Sequence, residues 1–178
     1  MFDFTDSANP VEIAFFDRGP LDTARLIIGG FWSTYWYNGH IYGAEIARGL
    51  GIFRLTPSEH LSQNEIAAAS QVRMETFNAQ QQQRVTWPAT TQVARAYVDQ
   101  LVRSQAMTSE RAGSARATFD RVDQLQTGRE TNVAAILSEA ERLTTQIERD
   151  AAAARGQDQV RLRALADTLS RRVARLRQ

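Results

Sequence analysis

Residues 31–55 place aromatic and aliphatic side chains on both faces of a tight β-meander, and this limits the folds open to the chain. Asn38-Gly39 is the pivot. A type I′ turn requires positive φ at both central residues, and Asn-Gly meets that need at little steric cost. The turn sets a register of Tyr37 opposite His40, Trp36 opposite Ile41, Tyr35 opposite Tyr42 and, carried onward, Trp32 opposite Glu45. Paired residues share a face. One face is then expected to carry Trp32, Thr34, Trp36, Ile41, Gly43 and Glu45, with Gly43 leaving space beside Trp36. The other carries Ser33, Tyr35, Tyr37, His40, Tyr42, Ala44 and Ile46. Arg48-Gly49 turns the chain into a third strand over 50–55.

A sheet with two apolar faces must be covered twice, and little else in the chain reads as β-structure. One further strand is expected at 11–16, between Asn9-Pro10 and Asp17-Arg18-Gly19-Pro20. Leu26-Ile27-Ile28 is a short apolar run before Gly29-Gly30. A faint repeat aligns Phe2-Asp3-Phe4-Thr5-Asp6-Ser7 with Phe53-Arg54-Leu55-Thr56-Pro57-Ser58.

The composition changes near residue 56. Trp32, Trp36, Tyr35, Tyr37 and Tyr42 lie before it, and the sequence after it is rich in Ala, Arg, Gln, Glu and Leu. Thr56-Pro57-Ser58-Glu59 and Ser62-Gln63-Asn64-Glu65 both read as capping boxes. A helix is expected over about 63–82, broken by Trp87-Pro88, and another over about 89–104. A third starts at the Thr108 cap and ends at Gly128. A fourth carries Val133, Ile136, Ala140, Leu143 and Ile147 and stops near Gly156. The last carries Leu162, Leu165, Leu169, Val173 and Leu176. Apolar residues three and four apart form the stripes of a helical bundle, and short links make its neighbours antiparallel. The expected class is α+β: an antiparallel meander (1–55), a helical connector (56–104) and a helical bundle or tail (105–178).

Ser7-Ala8-Asn9-Pro10-Val11-Glu12-Ile13 resembles the join between strands in LVIVD-repeat proteins. Trp36-Tyr37-Asn38-Gly39-His40-Ile41-Tyr42 and Gly49-Leu50-Gly51-Ile52-Phe53 resemble the strands of the next repeat. The likeness covers about residues 1–104 and departs from the pattern at Asp6-Ser7, where the usual Pro after Asp is missing. It implies the C-terminal part of a bacterial β-propeller, the 31–55 meander as its last blade-like unit, and a cell-surface or extracellular setting. Ala94-Arg95-Ala96-Tyr97-Val98-Asp99-Gln100-Leu101 opens a segment that more faintly resembles FIMAH-like helical modules. Neither family implies a catalytic set here.

Candidate chemistry is sparse. There is no Cys, so there is no disulfide and no thiolate metal site. With His40 and His60 as the two His, a His-rich metal centre is not expected, nor is any cofactor. By the register, His40 and Glu45 lie on opposite faces and do not form an acid–base pair. Glu45 reads either as a buried carboxylate or as the partner of an Arg. Gly49-Leu50-Gly51 lacks the Lys and hydroxyl of a phosphate loop. The Gln80–Gln83 run reads as a solvated helix end.

All basic residues are Arg, and the net charge is +1. No global pull toward nucleic acid follows from that, and the Arg-rich stretch at 155–177 lacks the interleaved aromatics that stack on bases. No run is long enough to span a membrane. Met1 leads into Phe2-Asp3-Phe4 without the pattern of a signal peptide.

The expected function is a non-catalytic interaction or scaffold module, with protein as its partner and oligomerisation left open. Its candidate surface is Trp32, Trp36, Tyr35, Tyr37 and Tyr42, with the polar loop residues Asp17 and Arg18. Two alternatives stand beside it. One is an independent helical oligomeriser built on the stripes at 133–147 and 162–176. The other is an enzyme using strand-end acids among Asp17, Asp22 and Glu45, which would have to converge on a pocket.

Overall fold

The computed structural model describes residues 1–178 except 79, 82, 83 and 130. The fold is α+β. It divides into two compact units between Val85 and Thr86, where the sequence led to boundaries at 55/56, from composition, and at 104/105, from the expected helices. No described helix is long and apolar enough to cross a membrane.

The first unit opens with a ribbon of β1 (Phe2–Asp3) and β2 (Val11–Glu12), paired antiparallel. The strand expected over 11–16 stops at Glu12 because its ladder converges: Ile13 N and Ala14 N both donate to the Met1 carbonyl. Leu26-Ile27-Ile28 forms no strand, and Leu26 and Ile28 are exposed.

The central sheet has the order β3 (Phe31–Tyr37), β4 (His40–Glu45), β5 (Gly49–Phe53), all antiparallel. Asn38 (φ 49°) and Gly39 (φ 90°) make the I′ turn. The register follows from it as far as Ser33 opposite Ala44. A bulge between Phe31 and Ser33 then places Phe31, not Trp32, opposite Glu45. Gly43 therefore makes room for Phe31 and Thr34 instead of Trp36. A Cβ there would lie 2.7 Å from Phe31 Cδ1 and 3.2 Å from Thr34 Cγ2.

Helix α1 (Gln63–Ala69) starts at the Ser62–Glu65 capping box, with both reciprocal bonds formed. The Thr56–Glu59 box starts no helix. The helix expected to run to 82 ends at Ala69, where Ser70 caps it with N and Oγ both on the Ile66 carbonyl. Beyond it, the backbone groups a longer helix would use are already taken. Met74 N donates to Asn38 Oδ1, and Met74 O accepts from Asn38 Nδ2 and Tyr37 Oη. Of the glutamine run, Gln82 and Gln83 lie outside the described residues.

The second unit is a four-helix bundle of α2 (Thr91–Arg103), α3 (Ser109–Gln126), α4 (Val133–Ala153) and α5 (Gly156–Leu176). Thr90, Thr108 and Asn132 cap the first three through their side-chain oxygens. Each helix packs on two others, in the ring α2-α3-α4-α5. The expected connector helix is thus a full member of the bundle. Cross-helix pairs show the antiparallel sense. On α2, Thr91 meets Asp123 and Asp99 meets Arg116 of α3, at 2.5 and 2.7 Å. Arg111–Asp150 and Arg121–Glu139 tie α3 to α4. The core contains Val98, Leu101, Phe119, Ile136, Ile147, Leu162, Leu165 and Leu169, all buried.

Candidate functional site

The register sorts the sheet into two unlike faces. Thr34, Trp36, Ile41, Gly43, Glu45, Gly51 and Phe53 share one with Phe31. Phe31 and Phe53 meet edge to face at 5.4 Å over the small Gly43 and Gly51. Phe16 packs on Phe53 at 4.5 Å, and the Arg18 guanidinium lies 5.6 and 5.7 Å from the two rings. Arg18 is thereby part of the sheet's cover. Asp17 turns back on its own loop, accepting from Gly19 N at 2.9 Å.

The opposite face carries Ser33, Tyr35, Tyr37, His40, Tyr42, Ala44, Leu50 and Ile52. At the turn end, Tyr42 contacts both Tyr37 and His40, at 6.2 and 6.3 Å between centroids. Phe77 lies on Tyr35 and Tyr37. It is held there by the Asn38–Met74 bonds and by Arg73, which donates to the Asn38 carbonyl. The strap at 72–77 thus leans on Tyr35 and Tyr37 and leaves Tyr35 partly exposed. At the far end Leu50 and Ile52 remain 64% and 57% exposed, and Trp32, at the bulge, is 78% exposed.

Glu45 is buried beside the bulge, and its Oε1 accepts from Gly30 N at 3.1 Å. Burial pushes its carboxyl pKa up. The backbone N–H groups of Gly30, Arg48 and Ala47, with the Arg48 charge, outweigh that and hold it below the ordinary value. Arg48 also donates to the carbonyls of Gly19 and Pro20, which ties the 17–22 loop to the β4–β5 turn. Because the folded pKa is lowered, the stabilisation is present above the usual glutamate value and is lost as pH falls through the folded one. An NMR titration of the Glu45 carboxyl should therefore show a midpoint below that of an unperturbed glutamate in a reference peptide, with the Gly30 amide signal moving in step. A midpoint at or above that value would contradict the assigned role.

The sheet separates His40 and Glu45 onto opposite faces. Asp22 accepts from Ala24 N and Arg25 N and pairs with Arg25 at 3.0 Å, so it serves its own turn. Among the described residues no group of three His, Cys, Asp or Glu is placed to hold a metal ion. The groove between α4 and α5 is lined by Glu148, Arg163 and Asp167 with small residues, and Asp167 is paired with Arg171.

The sequence-named residues therefore divide. Tyr35, Tyr37 and Tyr42 come together, and Trp32 stands apart at the bulge. Trp36 lies half-buried on the Phe31 face. Leu50, Ile52 and Phe77 are not among the surface residues expected from the sequence, and Phe77, expected on the buried side of a helix over 63–82, lies outside any helix and is exposed. The large–small alternation Gly49-Leu50-Gly51-Ile52 was the signal for the first two.

No protein-family model, curated protein or solved structure matches the chain.

Proposed function

We propose that residues 1–85 are a non-catalytic interaction module, a piece of β-structure completed by another protein, with the α2–α5 bundle as a separately cored appendage. One observation carries this reading. Among the described residues, the first unit's buried apolar side chains are Ala68 and Val72, while Phe4, Phe15, Leu26, Ile28, Trp32 and Leu50 are each more than 60% exposed. The second unit shows the reverse, with Trp87, Val133 and Val160 its exposed large apolar residues. Monomeric proteins seldom leave so much apolar surface open without a partner for it.

The resemblance to LVIVD repeats supports the same reading and names a β-propeller as the kind of protein to which such a piece would belong. Most of the stripes that favour a helical oligomeriser turn inward, since Ile136, Ile147, Leu162, Leu165, Leu169 and Val173 are buried in the bundle, while Val133 at the start of the first stripe stays exposed. Binding of an apolar fluorescent dye to the full chain tests the proposal. Strong enhancement is expected, reduced by Trp32→Arg and Leu50→Arg and unaffected by Val160→Arg. A monodisperse monomer that binds no dye would refute it.

A further inference from the structure

The backbone of β5 is open along one side, and the register identifies which residues face outward. In a two-residue hairpin the pair flanking the turn, Tyr37 and His40, exchanges both ladder hydrogen bonds, and such pairs alternate along antiparallel strands. His40, Tyr42 and Ala44 therefore bond to β3, while Ile41, Gly43 and Glu45 bond to β5. Their partners Phe53, Gly51 and Gly49 direct N–H and C=O toward β4. Leu50 and Ile52 direct theirs away from it. Among the described residues no backbone hydrogen bond from elsewhere reaches either.

The two edges of the sheet differ. The β3 edge is interrupted by the bulge at Phe31/Ser33. The β5 edge, Gly49-Leu50-Gly51-Ile52-Phe53, has no charge, proline or bulge, the usual devices that stop a strand from being joined. Its outward backbone groups lie beside the exposed Leu50 and Ile52 side chains. Arg48 and Arg54 flank it. If a second copy were to pair antiparallel with full overlap, Gly51 would meet its counterpart, and each Arg48 would face an Arg54. Like charges directly opposite are destabilising.

We propose that the open edge of β5 takes up an extended strand from a different protein, with apolar residues beside Leu50 and Ile52 and acidic residues near Arg48 and Arg54. The proposal rests on the interaction-module reading of residues 1–85 and specifies its mode, strand addition.

The test uses the full chain, isotopically labelled, with two synthetic peptides of alternating valine and threonine, one ended by glutamate and the other by lysine. The glutamate-ended peptide should shift the Leu50 and Ile52 amide signals and slow their hydrogen exchange. It should bind about fivefold more tightly than the lysine-ended one. Ile52→Pro should abolish the effect while leaving the β4 ladder intact, because the lost N–H points outward. Arg54→Glu, at an exposed position, should remove or reverse the preference whether or not the proline variant folds.

Failure of both peptides to protect these amides overturns the inference, as does equal binding of the two. Protection that grows with protein concentration alone would make a second copy the occupant and overturn it too. If dye binding persists while the peptides fail, only strand addition falls. If both fail, the interaction-module reading falls with it.

Discussion

Replacing Phe119 with Ala should lower the melting temperature of the bundle by more than about 10 °C. Phe119 is fully buried among Leu101, Leu162, Leu165 and their neighbours, and the Arg95 guanidinium lies 5.5 Å from its ring. Truncation removes the transfer free energy of the ring and leaves a cavity that packed helices only partly close, a cost of about 3–5 kcal/mol. For a domain of this size each kcal/mol shifts the midpoint by roughly 4–8 °C. Circular dichroism of the full chain at a helical wavelength reads the effect. A shift of under about 3 °C would show that Phe119 does not hold the core. Arg95 also bridges to Asp120 and Asp123 at 2.7 and 2.9 Å, so Phe119→Leu, which keeps part of the packing beneath it, should be milder.

The second large effect concerns the strap over the tyrosines. Asn38→Val should release residues 72–77 from the sheet. Asn38 sits at φ 49°, where a β-branched residue is strained, and its side chain makes two hydrogen bonds to Met74. Strain and lost bonds together cost on the order of 3 kcal/mol. The Met74 amide should then exchange roughly a hundredfold faster. The Tyr37–Phe77 contact should loosen, and the bundle's melting point should stay unchanged. Asn38→Gly, which restores the backbone freedom but not the side-chain bonds, should fall between. Exchange at Met74 no faster than in the parent would mean that other contacts hold the strap.

The contrast between those two sites tracks what the sequence could reveal. Periodicity places Val98, Phe119, Ile147 and Leu165 in a helical core because each lies on an amphipathic stripe. The caps at Thr90, Thr108 and Asn132 set starts that depend on neighbours three residues away. The hairpin register was legible for the same reason, being fixed locally by Asn38-Gly39. It failed at Trp32 because the bulge answers to a contact across the sheet, where Glu45 receives the Gly30 amide and Phe31 lies over Gly43 and Gly51. The early end of α1 was hidden likewise. Its continuation is overridden by Asn38, more than thirty residues back along the chain. Composition placed the boundary near 56, where aromatic residues thin out. Packing places it at 85/86, because α2 has its partners in α3 and α5.

The division of the core between the two units also bears on how the chain reaches its native state. Links of five, six and two residues join the bundle's helices, so most of its contacts are local in sequence. Topologies of that kind fold in microseconds to milliseconds. Synthesis delivers the units in the opposite order. The open sheet, with its uncapped β5 edge, leaves the ribosome before the bundle sequence exists, and translation at about 5–20 residues per second leaves it waiting for several seconds. The unit that leaves most of its apolar side chains exposed is therefore made before the unit with the closed core, and the time during which it stands alone is set by that delay and not by the final stability of the helices.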